Sequence, residues 1–477
     1  MTHGTGHTKK AGDPSAFSGL MSGTLVAVAL LELAARASGN HAIQTATWIA
    51  MAMVIVLAWR RMGLRESYLL AASAILSALL WTTHPEAVEV LVSALDQASF
   101  LMAFILLLGM LQAAAATSPS VSVLGEYLTR QPPGRRYYAL NGGTASLAVL
   151  FNVGVISFLV PLIMKGIQRA SPGDAWNPIR ERRQLSALLR GFAWSVTWSP
   201  TAFAPLIVAD LIPGVERTAW IGYGFVIFVV LMILGGLEDR WRFRGYKSSG
   251  KREVMAFPTG AGLRFTATTL WFLSIVLIVV WGFGDTPIFG VLTACPIIAL
   301  GWIAAQNGFP KPGTIQKIRA RVPEILVKDV QGSVNVAVTL ACSGYVGRAA
   351  AGLVPAADVA AFLGLNEMQD WLLLALVPIA IALFSLLALS PTMMAVFMGS
   401  FFAALPVLPA DPTLIAFSIS CGWALSMTFS PLATVVLLMD RASGIPAKTL
   451  TWGWNLGFTA ISAAILFPAF WLLLGGK

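Results

Sequence analysis

An eight-residue pattern occurs twice in the chain, each time inside a long apolar segment. The two copies read SVTWSPTA at residues 195–202 and SMTFSPLA at residues 426–433. Proline cannot donate a backbone hydrogen bond and disrupts the preceding helical turn, so Pro200 and Pro431 leave carbonyl groups unpaired. Within a membrane, such backbone occurs only where it is buried in protein or lines a water-filled cavity. The pattern therefore predicts two interrupted helices that meet at a polar site, an arrangement typical of secondary transporters.

The composition indicates a membrane protein. Hydrophobic residues make up 57% of the chain and charged residues 11%, against about 45–50% and about 25% in a soluble domain. The formal net charge of +10 does not indicate nucleic-acid binding, because the basic residues fall in short loops between apolar runs, where they set the topology. We expect a multi-pass protein of the inner (cytoplasmic) membrane, surrounded by the lipid bilayer and without nucleic-acid partners.

The predicted fold class is an all-α polytopic membrane protein with about 11 transmembrane helices and two re-entrant hairpins in an inverted repeat. Two apolar runs, 138–168 and 371–406, have the length of hairpins. The runs of bilayer length are residues 20–35, 43–59, 67–82, 99–117, 187–212, 219–237, 266–284, 287–305, 331–353, 412–439 and 451–474.

The charge of the connections predicts the topology. Basic connections, which face the cytoplasm by the positive-inside rule, lie at 60–66, 118–137, 165–186, 238–264 and 306–330. Connections with almost no lysine or arginine, which face outward, lie at 83–98, 213–218 and 354–370. The chain follows this alternation only if 138–168 enters and leaves from the cytoplasm and 371–406 from the outside. Run 371–406 is also long enough for two thin full spans, which would return the chain to the same side.

The same order of elements then occurs twice in opposite orientation. We predict an N-terminal tail and peripheral helix at 1–42, a first repeat at 43–237, a cytoplasmic linker at 238–265 and a second repeat at 266–477. Inverted repeats of this kind place the substrate site near the bilayer midplane, where the broken helices meet.

The hydroxyl groups beside the two prolines and the polar residues at the hairpin turns are the candidate ligands. A half-helix N-terminus favours an anion, and the opposing carbonyl groups suit a cation such as sodium. Any single hydroxyl has the alternative of bonding back to its own helix. The predicted substrate- and ion-binding residues are Asn152, Ser195, Thr197, Ser199, Pro200, Thr201, Ser390, Thr392, Ser426, Thr428, Ser430, Pro431 and Thr434.

The two predicted hairpin turns carry a family resemblance. The arrangement of spans, hairpins and breaks resembles the ion transporter superfamily, which includes divalent anion/sodium symporters and arsenite and sodium/proton antiporters. In the dicarboxylate branch each hairpin tip reads Ser-Asn-Thr, and a proline often follows the first Asn by nine residues. Asn152 and Pro161 keep that spacing, with Phe151 and Val153 in place of the hydroxyl residues, and the second tip, 390–392, keeps both hydroxyls without the Asn. The resemblance implies an elevator-type mechanism, a homodimer and sodium as a candidate coupling ion.

The position of the acidic residues favours an anionic substrate. No Asp or Glu is predicted at the midplane within either hairpin or beside either break, and Asp210 and Asp440 are predicted near helix ends. A proton or cation antiporter generally needs such a carboxylate. We therefore expect a secondary active transporter of a small anion, an organic acid or an oxyanion; the alternative is a cation or metalloid/proton antiporter of the same superfamily. We find no nucleophile, acid/base pair or metal cluster at membrane depth, so no enzymatic activity, catalytic or metal site, or other cofactor is expected.

Overall fold

The described part of the chain is mostly helical and contains no β-strand. The computed structural model describes residues 16–116, 118–170, 172–245, 255–283, 287–306, 315–316, 319, 332–365, 367–387 and 389–475. In the first half, the helices are α1 (Ala16–Ser38), α2 (His41–Ala58), α3 (Leu64–Thr83), α4 (Ala87–Ala116), α5 (Pro119–Thr129), α6 (Pro133–Phe151), α7 (Gly154–Ala170), α8 (Asn177–Ser195), α9 (Phe203–Leu211) and α10 (Arg217–Arg242). In the second half, they are α11 (Thr259–Phe283), α12 (Pro287–Gln306), α13 (Val334–Leu353), α14 (Ala356–Phe362), α15 (Asp370–Phe384), α16 (Pro391–Ala403), α17 (Pro412–Phe429), α18 (Thr434–Ser443) and α19 (Leu456–Leu473).

Among the described residues, 11 helices are long and apolar enough to cross a membrane. The number agrees with the prediction, but two of the segments counted as membrane spans differ. Asp370–Leu387, the first arm of the second hairpin, has the length and composition of a span. The segment 177–211 does not qualify, because its first turns are rich in arginine and its helix stops at Ser195. The fold class, an all-α polytopic membrane protein, is confirmed.

The segment 371–406 forms a hairpin. Its first arm is α15 followed by a short 3₁₀ turn, Ser385–Leu387, and its second arm is α16, of 13 residues. At 1.5 Å per residue, α16 is roughly 20 Å long, short of the roughly 30 Å hydrocarbon core. Two full spans would need a longer second arm, so the re-entrant arrangement is the one that fits.

Contacts between helices come in matched pairs from the two halves. The third spans, α4 and α13, pack against each other, and each also packs against the second span of the other half, α12 and α3. The first arm of each hairpin packs on the first part of its broken helix, α6 on α8 and α15 on α17. The second arms cross over: α7 packs on α18, and α16 packs on α9. This exchange is what a two-fold relation between the halves requires.

The direction of the third spans shows that the repeat is inverted. Ser93 of α4 bonds Arg348 of α13, and farther along α4 the Leu101 side chain lies against Gly344. Still farther along α4, a Cβ on Gly109 would lie 3.5 Å from Ser333, just before α13 begins. As the number rises in α4 it falls in α13, so the equivalent helices run antiparallel. The two halves therefore cross the membrane in opposite directions. The exact repeat boundaries stay predictions, and linker residues 246–254 lie outside the described residues.

The helices form two bodies. One contains the first three spans of each half together with α1, and we call it the scaffold. The other contains both hairpins, both broken helices, α10 and α19, and we call it the hairpin body. The bodies meet where the hairpins lie against the third spans.

Candidate functional site

The first break lies at residues 196–202, between α8 and α9. Ser195 Oγ donates to the carbonyl of Phe192 at 2.7 Å, and Thr197 Oγ1 donates to that of Trp194 at 2.8 Å. Both hydroxyls are buried and bond back to the last turns of their own helix, and Thr197 Oγ1 also lies 3.2 Å from the carbonyl oxygen of Gly224 in α10. Among the described residues, neither of these two predicted ligands bonds to the first hairpin.

Thr201 joins the first break to the first hairpin. Its Oγ1 donates to the carbonyl of Val149 in the last turn of α6, and it lies 3.2 Å from Ser199 Oγ, on the other side of Pro200. The last four carbonyls of a helix have no partner within it, and this hydroxyl supplies one.

The hydroxyl groups of the second break also fall into two groups, one bonded to the adjacent hairpin and the other bonded back to their own helix. Ser430 Oγ donates at 3.0 Å to the carbonyl of Ser385, in the turn that ends the first arm of the second hairpin, and Pro431 follows it. Ser426 and Thr428 donate to carbonyls of their own helix at 2.8 and 3.1 Å. In each half, one hydroxyl of the break thus binds the adjacent hairpin, while the two earlier ones bond back.

Asn152 lies at the turn of the first hairpin, with φ 46° and ψ −132°. It is the one non-glycine residue with positive φ among the described residues, and such a conformation costs of order 1–3 kcal/mol. Its Oδ1 accepts the N–H of Val153 at 2.8 Å. Strain of this kind persists where the surroundings impose it, and it is a marker of functional turns.

Ser390 lies at the turn of the second hairpin and caps the N-terminus of α16. Its Oγ accepts the N–H of Met393 at 3.1 Å and donates to Ser343 Oγ of α13 at 3.0 Å. Thr392, in the first turn of α16, is buried. This tip is therefore bonded directly to the scaffold.

Aromatic contacts bring the two breaks together. Phe203, the first residue of α9, lies 4.7 Å from the ring of Phe104 and 5.9 Å from that of Trp423, which precedes the second break. After the second break, Thr434 begins α18, and its Oγ1 lies 3.5 Å from the guanidinium of Arg65. Arg65, a cationic side chain of the scaffold, therefore lies close to the N-terminus of α18 in the hairpin body.

A cavity of about 570 Å³ lies at the tip of the first hairpin, between α7 and α4. Its polar lining comes from Gln112, Ser157 and Ser333, and its apolar lining includes Phe151 and Phe158. At the second hairpin, by contrast, the second arm α16 packs along the third span α13. The cavity at the first hairpin lies on the face that the charge pattern assigns to the cytoplasm.

Gln112 is the clearest residue that the sequence analysis missed. Its Nε2 is buried and has no hydrogen-bond partner among the described residues, so the protein leaves the two donors of this amide unsatisfied beside the cavity. A Cβ on Gly154 would lie 2.8 Å from Gln112 Oε1, so glycine is needed for the hairpin to approach this close. The signal was present, because Gln112 is the one polar side chain with hydrogen-bond donors in the second half of run 99–117 apart from the terminal Thr117.

No carboxylate lines this cavity among the described residues. Asp210 is exposed in the last turn of α9. Asp440 lies near the end of α18 and accepts the N–H of Ala447 at 3.0 Å. Both lie at helix ends, as expected from the sequence.

Comparison with protein-family models and with curated proteins gives no match. Among solved structures, the chain is similar to the crystal structure of the Alcanivorax borkumensis YdaH transporter, with a TM-score of 0.50 and 15% sequence identity. The similarity covers 86% of this chain and 98% of that one. At this identity the likeness establishes the fold, an all-helical polytopic membrane architecture, which agrees with the helices and contacts described above.

Proposed function

We propose that this chain is a secondary active transporter of a small anion, an organic acid or an oxyanion, in the inner membrane. The observation that carries the proposal is the paired arrangement of breaks and hairpins. In each of two inverted halves, a hydroxyl of the break binds a carbonyl of the adjacent hairpin. Breaks of this kind occur in transporters, where they build a site near the repeat interface. The likeness to the YdaH transporter supports the same class.

The lining of the cavity supports an anion as the substrate. Gln112 has an amide nitrogen without a partner, Ser157 offers a hydroxyl, and no carboxylate lines the cavity among the described residues. The N-terminus of α7 begins at Gly154 on its wall, and helix N-termini favour negative charge. A cation would lack a charged partner among the described residues that line this cavity.

The division into scaffold and hairpin body supports an elevator-type mechanism. The second hairpin is packed and bonded against the scaffold, whereas the first leaves a gap on the predicted cytoplasmic side. We interpret this as an inward-facing state, from which the hairpin body slides along the third spans. A homodimer and sodium as coupling ion complete the proposal, and both rest on the resemblance to the ion transporter superfamily.

A binding screen followed by uptake tests this function. Purified protein is screened by thermal shift against carboxylates, sulfonates, oxyanions and cations, with and without sodium, and the hits are measured as uptake into proteoliposomes. Gln112→Leu should weaken binding of the anion about 10-fold or more, because a hydrogen bond to a charged group contributes about 1.5–3 kcal/mol. Gln369→Leu, at an exposed position before α15, is the control and should bind normally. Saturable cation uptake driven by a pH gradient, with no anion bound, would instead favour the antiporter.

A further inference from the structure

Three adjoining cavities lie at the predicted cytoplasmic ends of α6, α8 and α10, and the largest has a volume of about 170 Å³. Arg183 and Asp239 line all three. We call this group of cavities the arginine cleft, because seven arginines and two carboxylates line it. The excess of positive charge needs an explanation.

Internal ion pairs account for part of the charge. Arg183 pairs with Asp239 at 2.7 Å, and the buried Arg190 pairs with Glu238 at 3.0 Å. Glu238 also accepts from Arg242 at 2.5 Å. Both carboxylates of the cleft are therefore already occupied by arginines.

Arg182 and Arg240 form no ion pair within the described part of the chain. Each donates only a long hydrogen bond to a backbone carbonyl, Arg182 to Gly453 at 3.3 Å and Arg240 to Gly134 at 3.4 Å. Burial, and then the nearby charge of Arg242, lower the pKa of Arg182. These two guanidinium groups are positioned to bind an anion from outside the protein.

An exposed apolar stripe runs along α10 to the cleft. Ile233 is 46% exposed and Leu237 is 52% exposed, and at helical spacing they continue into Arg240 in the last turn of α10. Trp241, beside them, is 69% exposed, as expected for an aromatic residue at a membrane interface. The apolar side chains lie along α10, and the guanidinium groups lie at its C-terminal end. The surface can therefore contact both the acyl chains and the charged headgroup of an anionic phospholipid.

We propose that the arginine cleft binds the phosphate of an anionic phospholipid headgroup, with the acyl chains along the stripe of α10. Basic pockets between transmembrane helices on the cytoplasmic side are suited to such headgroups. The apolar stripe favours a lipid over a free phosphate ion, because a phosphate ion has no apolar part that could contact the stripe. Because the cleft is built by α6, α8 and α10, the lipid would attach to the hairpin body.

Lipid binding to the full-length, delipidated protein tests this site. Phosphatidylglycerol is titrated in detergent, and bound lipid is counted by native mass spectrometry alongside the thermal midpoint. Phosphatidylcholine and inorganic phosphate are titrated in parallel. Phosphatidylglycerol should bind and stabilise, and the variant Arg182→Gln/Arg240→Gln should bind it roughly 30-fold more weakly, since each basic residue near an anionic surface contributes about 1 kcal/mol.

The control variant, Arg60→Gln/Arg264→Gln, removes two exposed arginines that do not line the cleft and should bind normally. If the double cleft variant does not fold, Arg240→Gln alone, at an exposed position, should still weaken binding. Equal stabilisation by phosphatidylcholine, or unchanged phosphatidylglycerol binding to Arg240→Gln, would overturn the proposal. A shift reproduced by inorganic phosphate alone would assign the cleft to a soluble anion and not to a lipid.

Discussion

At the scale of the residue, Asn152 holds a backbone conformation that glycine adopts far more readily. Its φ is positive, its side chain bonds the next N–H, and it ends the first arm of a hairpin beside the cavity. A turn that needed only this shape would be served by glycine. We therefore interpret the presence of Asn rather than glycine at position 152 as evidence that its side-chain amide has a role in the site.

Two substitutions separate the shape of this turn from its chemistry. Asn152→Gly should raise the thermal midpoint or leave it unchanged, because it relieves strain of about 1 kcal/mol. Asn152→Ala keeps the strain and loses the hydrogen bond to Val153, so it should unfold at a lower temperature. Both should weaken substrate binding if the amide is a ligand. Normal substrate affinity in Asn152→Gly, measured by thermal shift or calorimetry, would remove Asn152 from the site.

At the scale of the element, the sequence located the breaks but not the direction of each hydroxyl. Proline within an apolar run predicts an interruption from local sterics alone. Whether a hydroxyl bonds back, as Ser195 does, or reaches a hairpin, as Thr201 does, depends on the partner helix, which the local sequence does not specify. Gln112 stands out in the sequence as a polar residue in an apolar run, but its place beside the cavity depends on the approach of Gly154, far along the chain.

The hydroxyl bonds between breaks and hairpins can be tested with matched variants. Thr201→Val keeps the shape of the side chain but leaves the Val149 carbonyl without its partner, at a cost of about 1 kcal/mol or more. It should lower the thermal midpoint and the substrate affinity together, and Thr201→Ser should restore both.

Ser195→Ala is the control, because its hydroxyl bonds only to its own helix. Because no contact outside α8 is lost, the free energy of unfolding should fall less than in Thr201→Val. Equal losses in Thr201→Val and Ser195→Ala would show that the break does not depend on its contact with the hairpin.

At the scale of the whole molecule, the two hairpins differ although the halves are related. The second is bonded to the scaffold through Ser390 and Ser343, and the first stands off it across the cavity. The charge of the loops predicted opposite directions for the halves, and the antiparallel third spans confirm this. The asymmetry was not predictable, because the packing of each hairpin on its third span depends on contacts between residues far apart in the chain.

A disulfide between the bodies tests the sliding motion. Ser343→Cys/Ser390→Cys, in a background with alanine at 295, 342 and 421, places two thiols where hydroxyl oxygens lie 3.0 Å apart. Oxidation should crosslink the second hairpin to α13 and stop uptake into proteoliposomes, and reduction should restore it.

The control crosslink lies within the scaffold. In Val90→Cys/Gly352→Cys, a Cβ at 352 would lie 3.4 Å from the Val90 Cβ, close to disulfide geometry. Oxidation of this pair should leave uptake intact. Undiminished uptake by the fully crosslinked Ser343→Cys/Ser390→Cys protein would rule out movement of the hairpin body along α13.

The antiparallel third spans also bear on how such a chain arises and inserts. Each half crosses the membrane an odd number of times, since three spans, one broken helix and one last span traverse it and the hairpin returns to its own side. A tandem duplication of an odd-crossing gene places the second copy upside down without any change in the join. What must change afterwards is the charge of equivalent loops. The segment between the second and third spans shows this: it is acidic at 83–98 in the first copy and basic at 306–330 in the second.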